Sequence, residues 1–345
     1  MSWFNTEGNC PHHYIWSKTR YVRNAAKLPF CAADPTALTE VFSAIEGLLT
    51  QNGFRKELLS PSRLSEIYAL AEKQLADGDL CDGDGEKALY LNEPCNLTVS
   101  VGGKNLISIQ SILSGRAVAD TQKIAAGAEE LIDGEIELAY SEKYGYLSPD
   151  PAECGSGTEY SAALFLPALK ASGQIESRRL LCQRMGVNLT PLSLHPQNPG
   201  DVYIALTRAS HRLGEESEKT RFETVCDKLE QNEKAAERMI FKDKSKLIVD
   251  KAWRAYGLLR YAKQMDEAEL LRRLSEMRLG LAMIEDKESL PPVTPVLLNS
   301  MLAEGLNASV VTSSTPSAKN GEECAEARAR LLASRLTGAV DVNCK

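Results

Sequence analysis

Apolar positions along the chain fall into blocks of helical and of alternating period. Leu38, Val41, Phe42, Ile45, Leu48 and Leu49 recur at helical spacing behind Asp34-Pro35, a helix N-cap followed by a proline at the first helical position, and the block stops at Asn52-Gly53. A second helix is predicted from about Ser62 to Ala76. Turn formers then crowd Asp77-Gly78-Asp79-Leu80-Cys81-Asp82-Gly83-Asp84-Gly85 and predict a solvated acidic turn. As a calcium loop this stretch fails, because Cys81 interrupts the ligand pattern and no closing glutamate stands at the required distance. From Ala88 to Leu113 the period changes to strands, with Leu97, Val99 and Val101, then Ile107 and Ile109, separated by Gly102-Gly103. So short a connection makes the pairing an antiparallel hairpin.

Further on, the pattern predicts a helix over roughly Ala117 to Tyr144 and a Gly/Pro-rich loop from Gly145 to Gly157. Another helix is expected from near Glu159, carrying Leu164, Leu166, Leu169, Leu180 and Leu181, and a strand over Asp201–Leu206. After Gly214 charged and apolar residues interleave at helical spacing through Ile284 with hardly a turn signal. The expected organisation is a sheet domain over 1–214 and a helical domain over 215–306. A Ser/Thr/Pro-rich mobile linker over 307–321 and a terminal helix and tail over 322–345 complete it. No internal repeat is visible.

Composition narrows the class. Of 345 residues, 43% are hydrophobic and 25% charged, which excludes a fibrous repeat and wholesale disorder. Lys and Arg total 40 against 47 Asp and Glu, and a net charge of −7 argues against nucleic acid or an anionic membrane as the partner. No apolar run approaches the roughly 20 residues of a membrane span, and Met-Ser-Trp-Phe-Asn-Thr-Glu lacks the regions of a signal peptide, so a cytoplasmic location is expected. The nine cysteines are scattered with no Cys-x-x-Cys pair, and His12, His13, His195 and His211 show no ligand spacing. No metal site or disulfide framework is expected.

Three stretches carry a more specific signal: Tyr14-Ile15-Trp16-Ser17-Lys18-Thr19-Arg20-Tyr21-Val22-Arg23-Asn24; Tyr90-Leu91-Asn92-Glu93-Pro94-Cys95-Asn96-Leu97; and Tyr144-Gly145-Tyr146-Leu147-Ser148-Pro149-Asp150-Pro151-Ala152-Glu153-Cys154-Gly155-Ser156-Gly157 with Leu166-Pro167-Ala168-Leu169. In this order and spacing they resemble the phosphagen (guanidino) kinases, most closely the bacterial protein-arginine kinases. Trp253-Arg254-Ala255-Tyr256-Gly257-Leu258-Leu259, Leu274 to Gly280 and Arg328 to Leu336 resemble segments of the helical domain of that branch. The resemblance implies an α+β fold, an antiparallel sheet flanked by helices and followed by an α-helical C-terminal domain that supports dimerisation. The residues' own order, strands first and helices after, agrees.

Phosphoryl transfer to a guanidinium needs dense positive charge around a triphosphate, Mg²⁺ bridging it, and carboxylates that orient and deprotonate the acceptor. The resemblance places the family's two phosphate-binding arginines on Lys18 and Arg20, the nucleotide-binding candidates. Taken alone, Lys18, Arg20 and Arg23 read as an exposed strand face. The resemblance places the catalytic glutamate on Pro94, next to Glu93, and two further arginines on Thr98 and Glu159. The reactive cysteine falls on Asp150, and Cys154 nearby reads as a small packed side chain. Asn188 to Ser193 stands where the family has an Arg-Gly-x-x-Gly-Glu loop. The phosphoarginine-recognition motif Arg-Asp-x-x-Arg-Ala falls on Cys324-Ala325-Glu326-Ala327-Arg328-Ala329.

Shape-giving Gly, Pro and apolar positions persist while the charged chemistry is replaced. This predicts a pseudokinase that acts in binding or regulation through a protein partner, as a homodimer. The alternative is a divergent, active protein-arginine kinase with Glu93 and Asp150 as its carboxylates, Lys18 and Arg20 on Mg-ATP, and a protein-arginine substrate. A different nucleotide-dependent transferase on the same scaffold is a third reading.

Overall fold

The computed structural model describes residues 2–28, 35–58, 64–77, 80, 87–151, 153–193, 195–207, 214–313 and 320–343. Its strands are β1 (Tyr14–Arg23), β2 (Arg55–Leu58), β3 (Ala88–Leu91), β4 (Leu97–Val101), β5 (Ile107–Ser114), β6 (Tyr140–Ser141), β7 (Gly145–Tyr146), β8 (Thr158–Phe165), β9 (Val187–Pro191) and β10 (Val202–Thr207). The helices are α1 (Pro35–Gln51), α2 (Leu64–Glu72), α3 (Val118–Asp133), α4 (Pro167–Ala171), α5 (Ile175–Arg184), α6 (Glu215–Ile240), α7 (Ser245–Tyr261), α8 (Glu267–Met283), α9 (Pro295–Gly305), α10 (Asn307–Ser313) and α11 (Gly321–Asn343).

Eight strands form one sheet in the order β2-β3-β4-β5-β1-β8-β10-β9, with every pairing antiparallel. The expected β4–β5 hairpin is present, and the α+β class stands. Because side chains alternate along a strand, β1 divides its residues between two layers. Thr19, Tyr21 and Arg23 face α3 and α6, where Thr19 bonds Thr121, Tyr21 bonds Glu215 and Arg23 bonds Glu129. Trp16 takes the other face, where it shares an apolar core with Phe165, Val202 and the helices α7, α8, α9 and α11. The sheet and the helical half are thus cemented at one end of that face, beside Lys18 and Arg20. Helix α6 packs against α4, β8 and β10, on the sheet side.

Several elements correct the expectations. The helix expected over Ala117–Tyr144 ends at Asp133, because Gly134 follows it and the backbone of 137–139 pairs with 24–26 instead, through Ala26 N–H to Glu137 O and Ala139 N–H to Asn24 O. The helix expected from Glu159 is strand β8; helix begins only at Pro167. Residues 160–165 lie between β1 and β10 and are buried on both faces, so the run lacks the alternation that marks a half-buried strand. Leu180 and Leu181, expected as apolar helix positions, are exposed on α5. Strand β9 went unpredicted.

Of the linker expected over 307–321, Asn307–Ser313 is helix α10, docked on α2. Its N-terminal N–H groups at Ala308 and Ser309 donate to the Glu72 carboxylate at 2.9 and 2.7 Å, a cap that a short polar helix needs. Residues 314–319 lie outside the described residues. No helix among the described residues is long and apolar enough to cross a membrane.

Candidate functional site

Lys18 and Arg20 project from β1, the strand between β5 and β8, onto one face. Directly opposite residues in an antiparallel ladder share a face, so the register builds a row across the sheet. Leu91, Thr98, Gln110, Arg20 and Glu159 stand side by side, and Lys18 stands between Ile112 and Ser161 in the adjacent row. The roof of this groove is the chain leaving α2. Gln74 stands in the left-handed region (φ 60°), and Leu75 N–H returns to Leu70 O while Gln74 N–H returns to Ala71 O. This is a Schellman-type end at a position that favours glycine. The turn aims 74–77 down at the sheet.

There the basic groups already have partners. Arg20 Nε donates to Asp77 Oδ2 at 2.8 Å and to Ser108 Oγ at 3.0 Å, and Ser108 Oγ donates to the same Asp77 oxygen at 2.7 Å. Glu159 Oε2 lies 4.0 Å from Arg20 on the other side. Lys18 Nζ reaches Gln74 Oε1 at 3.4 Å, and Gln110 Nε2 reaches Gln74 O at 3.3 Å. Burial lowers the Lys18 ammonium, helped by the neighbouring Arg20 charge. Burial alone would raise the Asp77 carboxyl, yet Arg20, Lys18 and the Ser108 hydroxyl together hold it below the usual carboxylate range. Burial pushes Glu159 up, with Arg20 and Lys18 opposing. The two cations therefore face two carboxylates at close range.

The acidic turn expected at 77–85 is corrected at its first residue: Asp77 is largely buried and ion-paired, because Arg20 needs a counter-charge where water is scarce. Residues 78, 79 and 81–86 lie outside the described residues. Asp77, Gln74, Ser108 and Gln110 were missed as site residues. The row Thr98–Gln110–Arg20 was open to a register argument from the hairpin, but nothing local ties Asp77 to a strand 57 residues earlier.

Glu93 and Asp150 are not brought together. Glu93 is exposed in the β3–β4 turn, which is held by Asn92 Oδ1 accepting from Asn96 N–H and Leu97 N–H, each at 3.1 Å. Asp150 sits beyond the far end of β4, where Lys104 of the β4–β5 hairpin pairs with Asp150 at 3.1 Å and Glu153 at 2.7 Å. Five strand residues, roughly 17 Å, lie between the two turns. Cys154 is tied into its own loop, accepting from Ser148 N–H at 3.3 Å. Arg23 is no exposed strand residue: it is buried on the opposite face, its guanidinium 3.6 Å from the Tyr146 ring and donating to Gly157 O at 3.0 Å.

A cleft of about 1090 Å³, which Gln74 also lines, opens between α2, α8, α10 and α11, lined among others by Tyr68, His195, Glu267, Cys324 and Arg328. Arg328 is buried, and its Nε, Nη1 and Nη2 donate to Gly305 O at 2.6 Å, Met265 O at 2.8 Å and Asn307 Oδ1. It clamps the start of α8 to the end of α9 and to α10. Among the described residues no His/Cys/Asp/Glu cluster has the arrangement of a metal site.

Comparison with known proteins gives this geometry a family. Residues 39–236 match the ATP:guanido phosphotransferase C-terminal catalytic domain, and residues 245–344 match the protein-arginine kinase McsB C-terminal domain. The chain is 28% identical over 292 residues to the protein-arginine kinase of Desulforamulus reducens, covering 81% of each chain. It is 25% identical over 319 residues to that of Clostridium kluyveri, covering 90% of this chain and 91% of the other. Among solved structures, lombricine kinase superposes with a TM-score of 0.57 at 14% identity, over 69% of this chain and 70% of that one. The substrate-free duplicated taurocyamine kinase of Schistosoma mansoni superposes at 0.55 and 18% identity, over 67% of this chain and 33% of that longer one. The solved structures support the fold; the catalytic-domain match, which spans more than half of the 345 residues, makes this protein a member of the ATP:guanido phosphotransferase, or guanidino kinase, family, with a C-terminal region of the protein-arginine kinase type.

Proposed function

We propose that this family member has given up phosphotransfer and works as a pseudokinase, in binding or regulation. The carrying observation is the Arg20 guanidinium held between Asp77 at 2.8 Å and Glu159 at 4.0 Å. A triphosphate with Mg²⁺ would enter a groove where, among the described residues, Lys18 and Arg20 stand beside the carboxylates of Asp77 and Glu159, with Thr98 and Glu159 where the family resemblance places arginines. At these separations a like charge costs binding free energy rather than merely failing to supply it. The groove as it stands does not fit Mg-ATP. Pro94 has no proton-accepting group, and Glu93 faces solvent.

A second reading, a divergent Mg-ATP-dependent protein-arginine kinase acting on protein arginines, is favoured by one observation: protein-arginine kinases match this chain over four-fifths or more of both lengths. Incubation of the chain with Mg-ATP and either free arginine or an arginine-rich protein, followed by detection of phosphoarginine, separates the two. The pseudokinase reading expects none. Phosphoarginine that depends on the chain and disappears in Arg20→Ala establishes the second reading.

A protein partner and self-association through the helical half belong to the same proposal, supported by Leu247, Trp253, Leu258 and Tyr261 standing exposed along α7. A cytoplasmic location is supported by the free cysteines Cys10, Cys95, Cys154, Cys182, Cys226 and Cys324.

A further inference from the structure

The chain after α2 uses the groove's own anion-binding groups. Asp77 takes the Arg20 Nε and the Ser108 hydroxyl, Gln74 Oε1 takes the Lys18 ammonium, and Gln74 O takes the Gln110 amide. The conformation that makes this possible is unfavourable locally, since Gln74 adopts a left-handed φ of 60° at a helix end where glycine is preferred. The groove contacts of Gln74 compensate for that conformation. From behind, Leu75, Ala76 and Leu80 are buried in the apolar core shared with the C-terminal helices, and Trp3 Nε1 donates to Lys73 O at 2.8 Å. The segment is thus seated from both sides.

Beneath it, two buried polar groups on the groove floor have no hydrogen-bond partner among the described residues: the Ser161 hydroxyl, opposite Lys18, and the side-chain oxygen of Gln110, opposite Arg20. Residues this buried are normally satisfied, and these two belong to the rows that present Lys18 and Arg20.

We propose that residues 73–77 form an intramolecular latch in which the Asp77 carboxylate occupies the anion position of Arg20, so that a phosphate-bearing ligand enters only when Asp77 leaves. The inference rests on reading the Lys18–Arg20 groove as the family's phosphate site, and it makes that site a regulated binding site rather than an abolished one. With Asp77 withdrawn, the closest acceptor leaves the Arg20 Nε, and the Ser108 hydroxyl can turn to a polyphosphate together with Gln110 and Ser161. The ligand class is a pyrophosphate-bearing molecule such as a nucleoside diphosphate.

The test uses the full chain, with inorganic pyrophosphate and Mg-ADP as probes in titration calorimetry. Asp77→Asn keeps the side-chain shape and removes the charge, and Asp77→Ala removes both. Each is expected to bind the probes at least about tenfold more tightly than the wild type, a factor within reach of one close charge. Adding Arg20→Ala should abolish the gain. Gln74→Ala, which removes the Lys18 contact and leaves the left-handed turn without its compensation, should give a smaller gain in the same direction and serves if the Asp77 variants melt non-cooperatively. Equal affinity in wild type and variants overturns the latch, as does a gain that survives Arg20→Ala. Phosphoarginine formation by the wild type overturns the pseudokinase reading separately, so the two failures are distinguishable.

Discussion

A Cβ placed on Gly157 would lie 2.4 Å from Nη1 of Arg23 and 2.9 Å from the Val22 carbonyl oxygen, and Gly157 has φ +57°. The glycine loop thus closes over a buried arginine, with the Tyr21 and Tyr146 rings 4.8 and 3.6 Å from its guanidinium. Gly157→Ala combines a backbone clash with a left-handed conformation, and we expect a loss of roughly 3 kcal/mol in chemical denaturation. A midpoint within error of the wild type would mean that the loop does not pack against Arg23 as described.

The Arg20–Asp77 pair is buried at both ends, with side chains 16% and 12% exposed. Removing one partner takes the closest counter-charge from the other in poor solvent, so Arg20→Ala should cost roughly 3 kcal/mol. The double change Arg20→Ala with Asp77→Ala should cost less than the sum of the single changes. A double-mutant cycle by urea unfolding measures this coupling, and strict additivity would show that the contact carries no net interaction.

Glu233 accepts from Ala168 N–H at 2.6 Å and Leu169 N–H at 2.9 Å, tying α6 to the start of α4. Burial pushes its carboxyl up to about 7, with those two N–H groups opposing, Glu237 adding to the rise and His13 countering it. The folded chain therefore holds a proton that the unfolded chain has released above its ordinary 4.5. The associated stabilisation is complete below that value and is lost as pH rises through about 7, a change of roughly 3 kcal/mol. Thermal melts from about pH 5 to about pH 8 should shift steadily in favour of Glu233→Gln over the wild type. A difference that does not change with pH would contradict the assignment.

All three nitrogens of the Arg328 guanidinium are held, by Gly305 O, Met265 O and Asn307 Oδ1. Arg328→Ala orphans two buried carbonyls and should cost roughly 3 kcal/mol, while Arg328→Lys should recover only part of it, since one ammonium cannot match the fork. For the same reason free phosphoarginine should not raise the melting temperature; a saturable rise abolished by Arg328→Ala would show that the side chain exchanges its partners for a ligand.

The exposed α7 face gives a prediction for assembly. If Leu247, Leu258 and Tyr261, which share one side of α7, form a contact between two copies, Leu258→Ser with Tyr261→Ser should shift sedimentation from dimer to monomer and leave the melting profile of the sheet core intact. A wild-type chain that sediments as a monomer at high concentration removes the homodimer from the proposed function.

What the sequence determined on its own was whatever local chemistry controls. Asp34-Pro35 and the apolar stripe from Leu38 to Leu49 led to the helix α1, Gly102-Gly103 led to the β4–β5 hairpin, and the spacing of three motifs led to the family. Tertiary structure decided the rest. Residues 160–165 became a central strand because both their faces are covered, which removes the alternation that would have identified them. Asn307–Ser313 became a helix because Glu72, far away in sequence, caps it. The state of the groove was decided in the same way: motif positions singled out Lys18 and Arg20, but only the folded chain brings Asp77 onto Arg20. An ion pair between distant residues has no periodicity or spacing to betray it, because its energy depends on a separation and a burial that exist only once the chain has closed on itself.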